Sequence, residues 1–265
     1  MSRRLSMPNL LAALTFSAAL GLCAGIGVTS IRQPGASLDT SLRNEADRSV
    51  RQAAVWLAAG QNPDGSWGAS NRVRLTSLTL LALNGSRQPG LSENSARAAL
   101  WLDAHASTNP VGDLETHAWR LLALAQSLPD TPARTALLRR FSEAARPSVA
   151  GAPADARRLW DEALAAAGLG AAPADAPDRL AGLADEWPPA AAGNAAAWQI
   201  AHLINTAGNG QLLRGNAPLD WRRDLAQRLV NTQRSAPSGG GYWDAPGADA
   251  RLAATAFGLL ALLEL

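Results

Sequence analysis

The residues of this chain that could carry chemistry gather around position 115. Asp113, Glu115 and His117 fall within five residues, and the two remaining histidines are His105 and His202. A carboxylate and an imidazole two positions apart suit a metal site or a proton-transfer site, with His202 as a third group. Each also has a plainer reading. Carboxylates at a helix start complement its dipole, and Glu115 there helps to cap it. His202 sits on an apolar helix, where a satisfied core histidine is the ordinary case. His105 ends an amphipathic helix and is read as solvated. Asp64 belongs to Asn62-Pro63-Asp64-Gly65, and turn chemistry accounts for it. The single cysteine, Cys23, excludes an internal disulfide and a cysteine-based zinc cluster.

These residues are positioned by helices that come in pairs. Ala46, Val50, Ala53, Ala54 and Leu57 recur at helical spacing, with Asp47, Arg48 and Arg51 opposite. The turn at 62–65 ends that helix. Leu75–Leu83 follows without a charge, so protein must cover it on all sides. The same sequence of events recurs. Glu93–Ala106, with Ser92 placed to cap it, precedes Thr116–Leu128. Pro132–Arg146 precedes Asp155–Ala167, which breaks the pattern with Asp155, Arg157, Arg158, Asp161 and Glu162. Pro177–Trp187 precedes the uncharged Asn194–Ala207. Asp220–Gln233 precedes the uncharged Leu252–Leu263. Trp119, Trp160 and Trp198 are candidates to line the interior, with core packing the default. Trp187 and Trp221 stand near helix ends.

Composition supports an all-α protein. Alanine, leucine and arginine dominate its 265 residues, and β-branched runs are few. The net charge of +2 belongs to Arg3 and Arg4; without them 22 arginines face 22 acids. A neutral remainder argues against nucleic-acid binding, which needs a concentrated basic surface.

Leu10–Ile31 has no charged residue and spans 22 positions, long enough for roughly 30 Å of helix. Two arginines before it place the N-terminus on the cytoplasmic side. Residues 1–31 thus read as a single transmembrane anchor or a cleaved secretory signal. Residues 32–44 read as a linker, and 45–265 as the folded domain. The product is membrane-anchored on the non-cytoplasmic side, or secreted or periplasmic after cleavage.

The pairs repeat. Ala99-Leu100-Trp101-Leu102 echoes Ala54-Val55-Trp56-Leu57, 45 residues earlier, and Ala197-Trp198 echoes Ala118-Trp119. Superposing Leu229, Gln233, Gly241 and Trp243 on Leu57, Gln61, Gly65 and Trp67 brings Thr255 near Thr76. A period of that length is the mark of a helical array. Alternating wet and apolar helices predict two concentric layers, and the apolar second helices favour closure into a ring over an open stack.

Ala53-x2-Trp56-Leu57-x3-Gln61-x3-Gly65-x-Trp67 resembles the Gln–Trp repeat of squalene-type terpene cyclases and of protein prenyltransferase β-subunits. The last copy keeps Gln233, Gly241 and Trp243 but carries Arg228 where an aromatic belongs. The resemblance implies an α/α toroid, complete or incomplete, of about five hairpins. It implies structural roles for Trp56, Gln61, Gly65, Trp67, Gln233, Gly241 and Trp243. Gln61 is expected to bond a neighbouring helix start, and Trp67 to stack across the turn.

The catalytic signatures of those families are missing. There is no Asp-x-Asp-Asp run; Asp175-Ala-Pro-Asp178 is the nearest. The place of the zinc-binding Asp-x-Cys reads Glu115-Thr116-His117 in the second pair and Asp249-Ala250-Arg251 in the last. The expectation is therefore a non-catalytic toroid without cofactor or metal, a binding or structural module whose partner is a protein, a peptide or an apolar ligand. The alternative is an enzyme acting on an isoprenoid or a polysaccharide in the central cavity, with Glu115 and His117 in its site. Raised-pKa carboxylates in that cavity would favour the enzyme. A smooth lining of Leu and Ala would favour the binder.

Overall fold

A computed structural model describes residues 38–105, 113–171, 176–185, 187, 193–207, 210–237 and 239–265. The apolar segment 10–31 and Asp175 lie outside them. The first helix, α1, runs Thr40–Ala59. Asp39 caps it by accepting from the Leu42 N–H at 2.9 Å. The helix therefore starts inside the stretch 32–44 read as a linker. The reason is packing: Leu38 and Leu42 are buried in a small cluster with Ala226, against Leu265.

Nine further α-helices follow among the described residues, each close to a helical stretch expected from sequence. They are α2 Arg72–Ser86, α3 Ser92–Ala104, α4 Leu114–Ser127, α5 Pro132–Ala145, α6 Ala154–Ala166, α7 Ala176–Asp185, α8 Asn194–Ala207, α9 Trp221–Thr232 and α10 Ala248–Leu263. Ser92 is the first helical residue of α3 rather than its cap; Leu91 holds the cap position. Two short antiparallel ladders were not expected. Leu213–Arg214 pairs with Ala217–Pro218, and Arg234–Ser235 with Gly241–Tyr242.

Of the even-numbered helices, α2, α4 and α10 are the most buried, whereas α6 buries only Trp160 and Ala163. In α2 every residue from 75 to 83 is buried. α4 packs against α2 and α6, and α10 packs against α2 and α8, giving the succession α6, α4, α2, α10, α8. The odd-numbered helices lie against these with one wet face. In α5, for example, only Leu138, Phe141 and Ala145 are buried. α10 and α9 also pack on α1, so the last pair meets the first helix.

The two best-preserved turns share their hydrogen bonds. Trp67 Nε1 donates to the Leu57 carbonyl at 2.7 Å, and its N–H donates to Thr76 Oγ1 at 2.9 Å. Trp243 repeats both, to Leu229 at 2.9 Å and to Thr255 at 3.2 Å. Trp67 thus points back into its own hairpin and is fully buried. The stack across neighbouring pairs is made instead by Trp56 and Tyr242, centroids 5.6 Å apart.

Gln61 ties its turn to the start of α3. Its Nε2 donates to the carbonyls of Gly65 and Asn94, both at 2.9 Å, and its Oε1 accepts from Asn94 and Arg97. Its partner groups on α3 are thus a carbonyl and two side chains, not the open N–H groups of the helix start. Gly65, at φ +94°, lies so close to α3 that a Cβ would stand 2.8 Å from the Arg97 carbonyl oxygen. In the longer last turn that close approach passes from Gly241 to Gly240, whose Cβ would meet Gln52 and Trp56 of α1.

Candidate functional site

A cavity of about 260 Å³ lies between α6 and α8. Its floor is aromatic. Trp119 of α4, Trp198 of α8 and Phe257 of α10 touch one another, with centroids 5.0 to 6.0 Å apart. Two of the rings are held by neighbours one turn away, one at its edge and one at its face. Trp119 Nε1 donates to Glu115 Oε1 at 3.2 Å, one turn earlier on α4. Trp198 stacks on His202, one turn later on α8, at 5.2 Å.

The walls are ionic and internally paired. Glu115 meets Arg74 of α2 at 2.7 Å, and Asp155 meets Arg158 on α6 at 2.7 Å. His202 Nδ1 meets Glu264 Oε1 at 2.8 Å. Glu162, Arg179 and Gln199 complete the polar lining. α6 breaks the apolar pattern in sequence because Asp155, Arg158 and Glu162 face this space rather than a packed neighbour.

Glu264 is the centre of a small network at the end of α10. Asn205 Nδ2 donates to its side chain at 2.8 Å and to its main-chain carbonyl at 2.6 Å. Arg222 donates to Asn205 Oδ1 at 3.0 Å and to the Gly210 carbonyl at 2.7 Å. Burial pushes the His202 pKa down, but the hydrogen bond and charge of Glu264, with the charge of Glu162, outweigh it and leave the imidazole raised above 6.5. Burial pushes Glu264 up, but His202, Asn205 and Arg222 together hold it below its ordinary value. Nδ1 faces Glu264, so Nε2 is the ring nitrogen outside that bond.

The expected site residues divide. Glu115 and His202 share the cavity. Asp113 caps α4, accepting from the Thr116 N–H at 2.8 Å. His117 is buried away from the cavity lining, 3.1 Å from Arg120 through Nδ1, and its Nε2 has no partner. Burial first, then the Arg120 charge, lowers its pKa. His105, read as solvated, stacks on Trp101 at 4.1 Å. Trp119 and Trp198 line the cavity; Trp160 is buried in the core outside it. Asp64 receives Arg72 and the Ser66 N–H and hydroxyl, and these hold it well below the usual carboxylate range. Asp249, at the start of α10, accepts from the N–H groups of Ala69 and Ser70 at 2.9 and 2.8 Å. Its carboxylate thus fastens the first turn to the last helix.

Sequence reasoning missed Arg74, Arg158, Glu162 and Glu264. The charged face of α6 and the lone acid in Leu262-Leu263-Glu264-Leu265 were the available signals. Among the described residues no group of three or more His, Cys, Asp or Glu side chains is placed to hold a metal ion, and no helix is long and apolar enough to cross a membrane. Comparison with known protein families matches none of them to this chain, and comparisons with characterised proteins and with solved structures also give no match.

Proposed function

We propose that this chain is an α/α toroid of five hairpins, a divergent relative of the terpene cyclase and prenyltransferase repeat proteins, that binds a small molecule in its central cavity. The repeated indole bonds of Trp67 and Trp243 support the repeat. The packing of α9 and α10 on α1 supports closure. In this reading α6 and α8 face each other across the centre, and the N-terminal segment holds the toroid at, or carries it across, a membrane.

The observation that carries a binding role is the state of the cavity's carboxylates. Glu115 and Asp155 are each matched by a guanidinium at 2.7 Å. Each carboxylate is thus already engaged by a cation rather than presented alone to a substrate. The lining is also mixed in character, neither a smooth apolar wall nor a set of isolated acids. That mixture favours a polar small molecule over a hydrocarbon.

His202, held by the half-buried Glu264, supports a second reading in which the imidazole acts as a general base. Full-length protein incubated with squalene and with isoprenoid diphosphates separates the two. The expected result is no product. Turnover that is lost in Glu115→Gln or His202→Ala would overturn the binding role.

A further inference from the structure

The ionic groups of the cavity are satisfied by one another. Arg74 holds Glu115, Arg158 holds Asp155, and His202 holds Glu264, at 2.7 to 2.8 Å. Of the other ionic groups on the wall, Arg179 and Glu162 are one of each sign. A charged ligand would have to compete with an internal partner across a partly exposed pair, or set its own charge beside one. A neutral ligand does neither. A hydrocarbon ligand fails for the opposite reason. Eight of the fifteen lining residues carry a carboxylate, guanidinium, amide or imidazole group, and an alkyl chain would strip water from them with nothing in return.

Hydroxyl groups fit such a wall. Each donates one hydrogen bond and accepts others, so a pair of adjacent hydroxyls bridges a guanidinium and its carboxylate without separating them. The floor fits the remaining face of the same molecule. Trp119, Trp198 and Phe257 are in mutual contact, which leaves no slot for a flat ring to slide between them. What they offer is an apolar patch at the bottom of a polar cup. A volume of about 260 Å³ is smaller than a site for a drug-sized ligand, about 300 Å³ upward, and suits one or two six-membered rings.

We propose that the cavity binds a neutral carbohydrate, a single pyranose or a disaccharide. Its CH-rich face rests on Trp198 and Phe257, and its hydroxyls are shared among Arg158, Glu162, Arg179, Gln199 and His202. This rests on the binding role argued above and names the ligand for it. His202 contributes through position: Glu264 fixes Nδ1, Trp198 fixes the ring plane, and Nε2 meets a hydroxyl.

The test uses the full-length chain in a detergent without a sugar headgroup. Glucose, galactose, mannose, N-acetylglucosamine, maltose and cellobiose are titrated while tryptophan fluorescence and heat are recorded, with indole-3-acetate and farnesol as charged and apolar comparisons. At least one sugar is expected to bind with a Kd below about 1 mM. Arg179→Ala and Gln199→Ala, at partly or fully exposed positions, should each weaken it by about fivefold or more with an unchanged circular dichroism spectrum. Binding of indole-3-acetate or farnesol but of no sugar would overturn the carbohydrate and leave the binding role standing. No binding by any probe would overturn both. Sugar binding indifferent to both substitutions would place the site elsewhere and overturn the proposal.

Discussion

Gln233 Nε2 donates to the main-chain carbonyl of Ser49 at 2.9 Å, across 184 residues of sequence. The bond joins the last turn to the first helix. Gln61 makes the corresponding tie from the first turn to α3, with more partners. The two glutamines do the same job at different strengths, and this difference is measurable.

Gln233→Ala removes one partly buried bond and should cost about 1 kcal/mol. Gln61→Ala removes a set that also anchors Asn94 and Arg97, and should cost about 2–3 kcal/mol. Urea unfolding followed by circular dichroism compares them. Equal costs would mean that the additional contacts of Gln61 contribute nothing.

Gly65 separates backbone strain from close approach. Gly65 and Gly90 both have positive φ, +94° and +86°, but a Cβ at Gly90 would meet nothing within 4 Å. Gly90→Ala should cost about 1 kcal/mol, from backbone conformation alone. Gly65→Ala adds the 2.8 Å contact with the Arg97 carbonyl and should cost about 3 kcal/mol or prevent folding. The same unfolding curves report both, and a Gly65→Ala protein as stable as Gly90→Ala would contradict the packing of this turn on α3.

The His202–Glu264 pair sets a pH window. His202 is raised above 6.5, so its contribution is complete below pH 6.5 and is lost as pH rises through the folded value. Glu264 is held below 4.5, so its contribution is complete above pH 4.5 and is lost as pH falls through the folded value. The stability difference between the natural chain and His202→Asn should therefore be greatest between pH 4.5 and 6.5 and shrink on both sides. Using the difference matters, because His117 is lowered and works the other way, favouring the fold as pH rises through 6.5. Thermal unfolding across pH 4 to 9 checks it; a difference that grows above pH 7 would contradict the ion pair.

The helices were legible in the sequence because their signals are local. Leu75–Leu83 carries no charge, and burial of all nine residues follows from that alone. The equivalence of Trp67 with Trp243, and of Thr76 with Thr255, was legible because each copy kept the residues whose bonds recur. The start of α1 at Thr40 was not, since the Leu38–Leu42 cluster depends on Ala226 and Leu265 at the far end of the chain. The cavity was half legible. Glu115 stood out by its place beside His117 at a helix start, and His202 as one of only three histidines. Their partners Arg74 and Glu264 are an ordinary arginine and an ordinary glutamate, and only the fold brings them close.

The meeting of Leu38 and Leu42 with Leu265 has an engineering meaning. The two ends of the folded unit are near neighbours, so a brief linker could join them into one continuous loop. Fresh ends could then be opened at the exposed hairpin around Gly215 and Asn216. If such a rearranged chain still folds, the order in which its hairpins are synthesised is immaterial to how they come to rest.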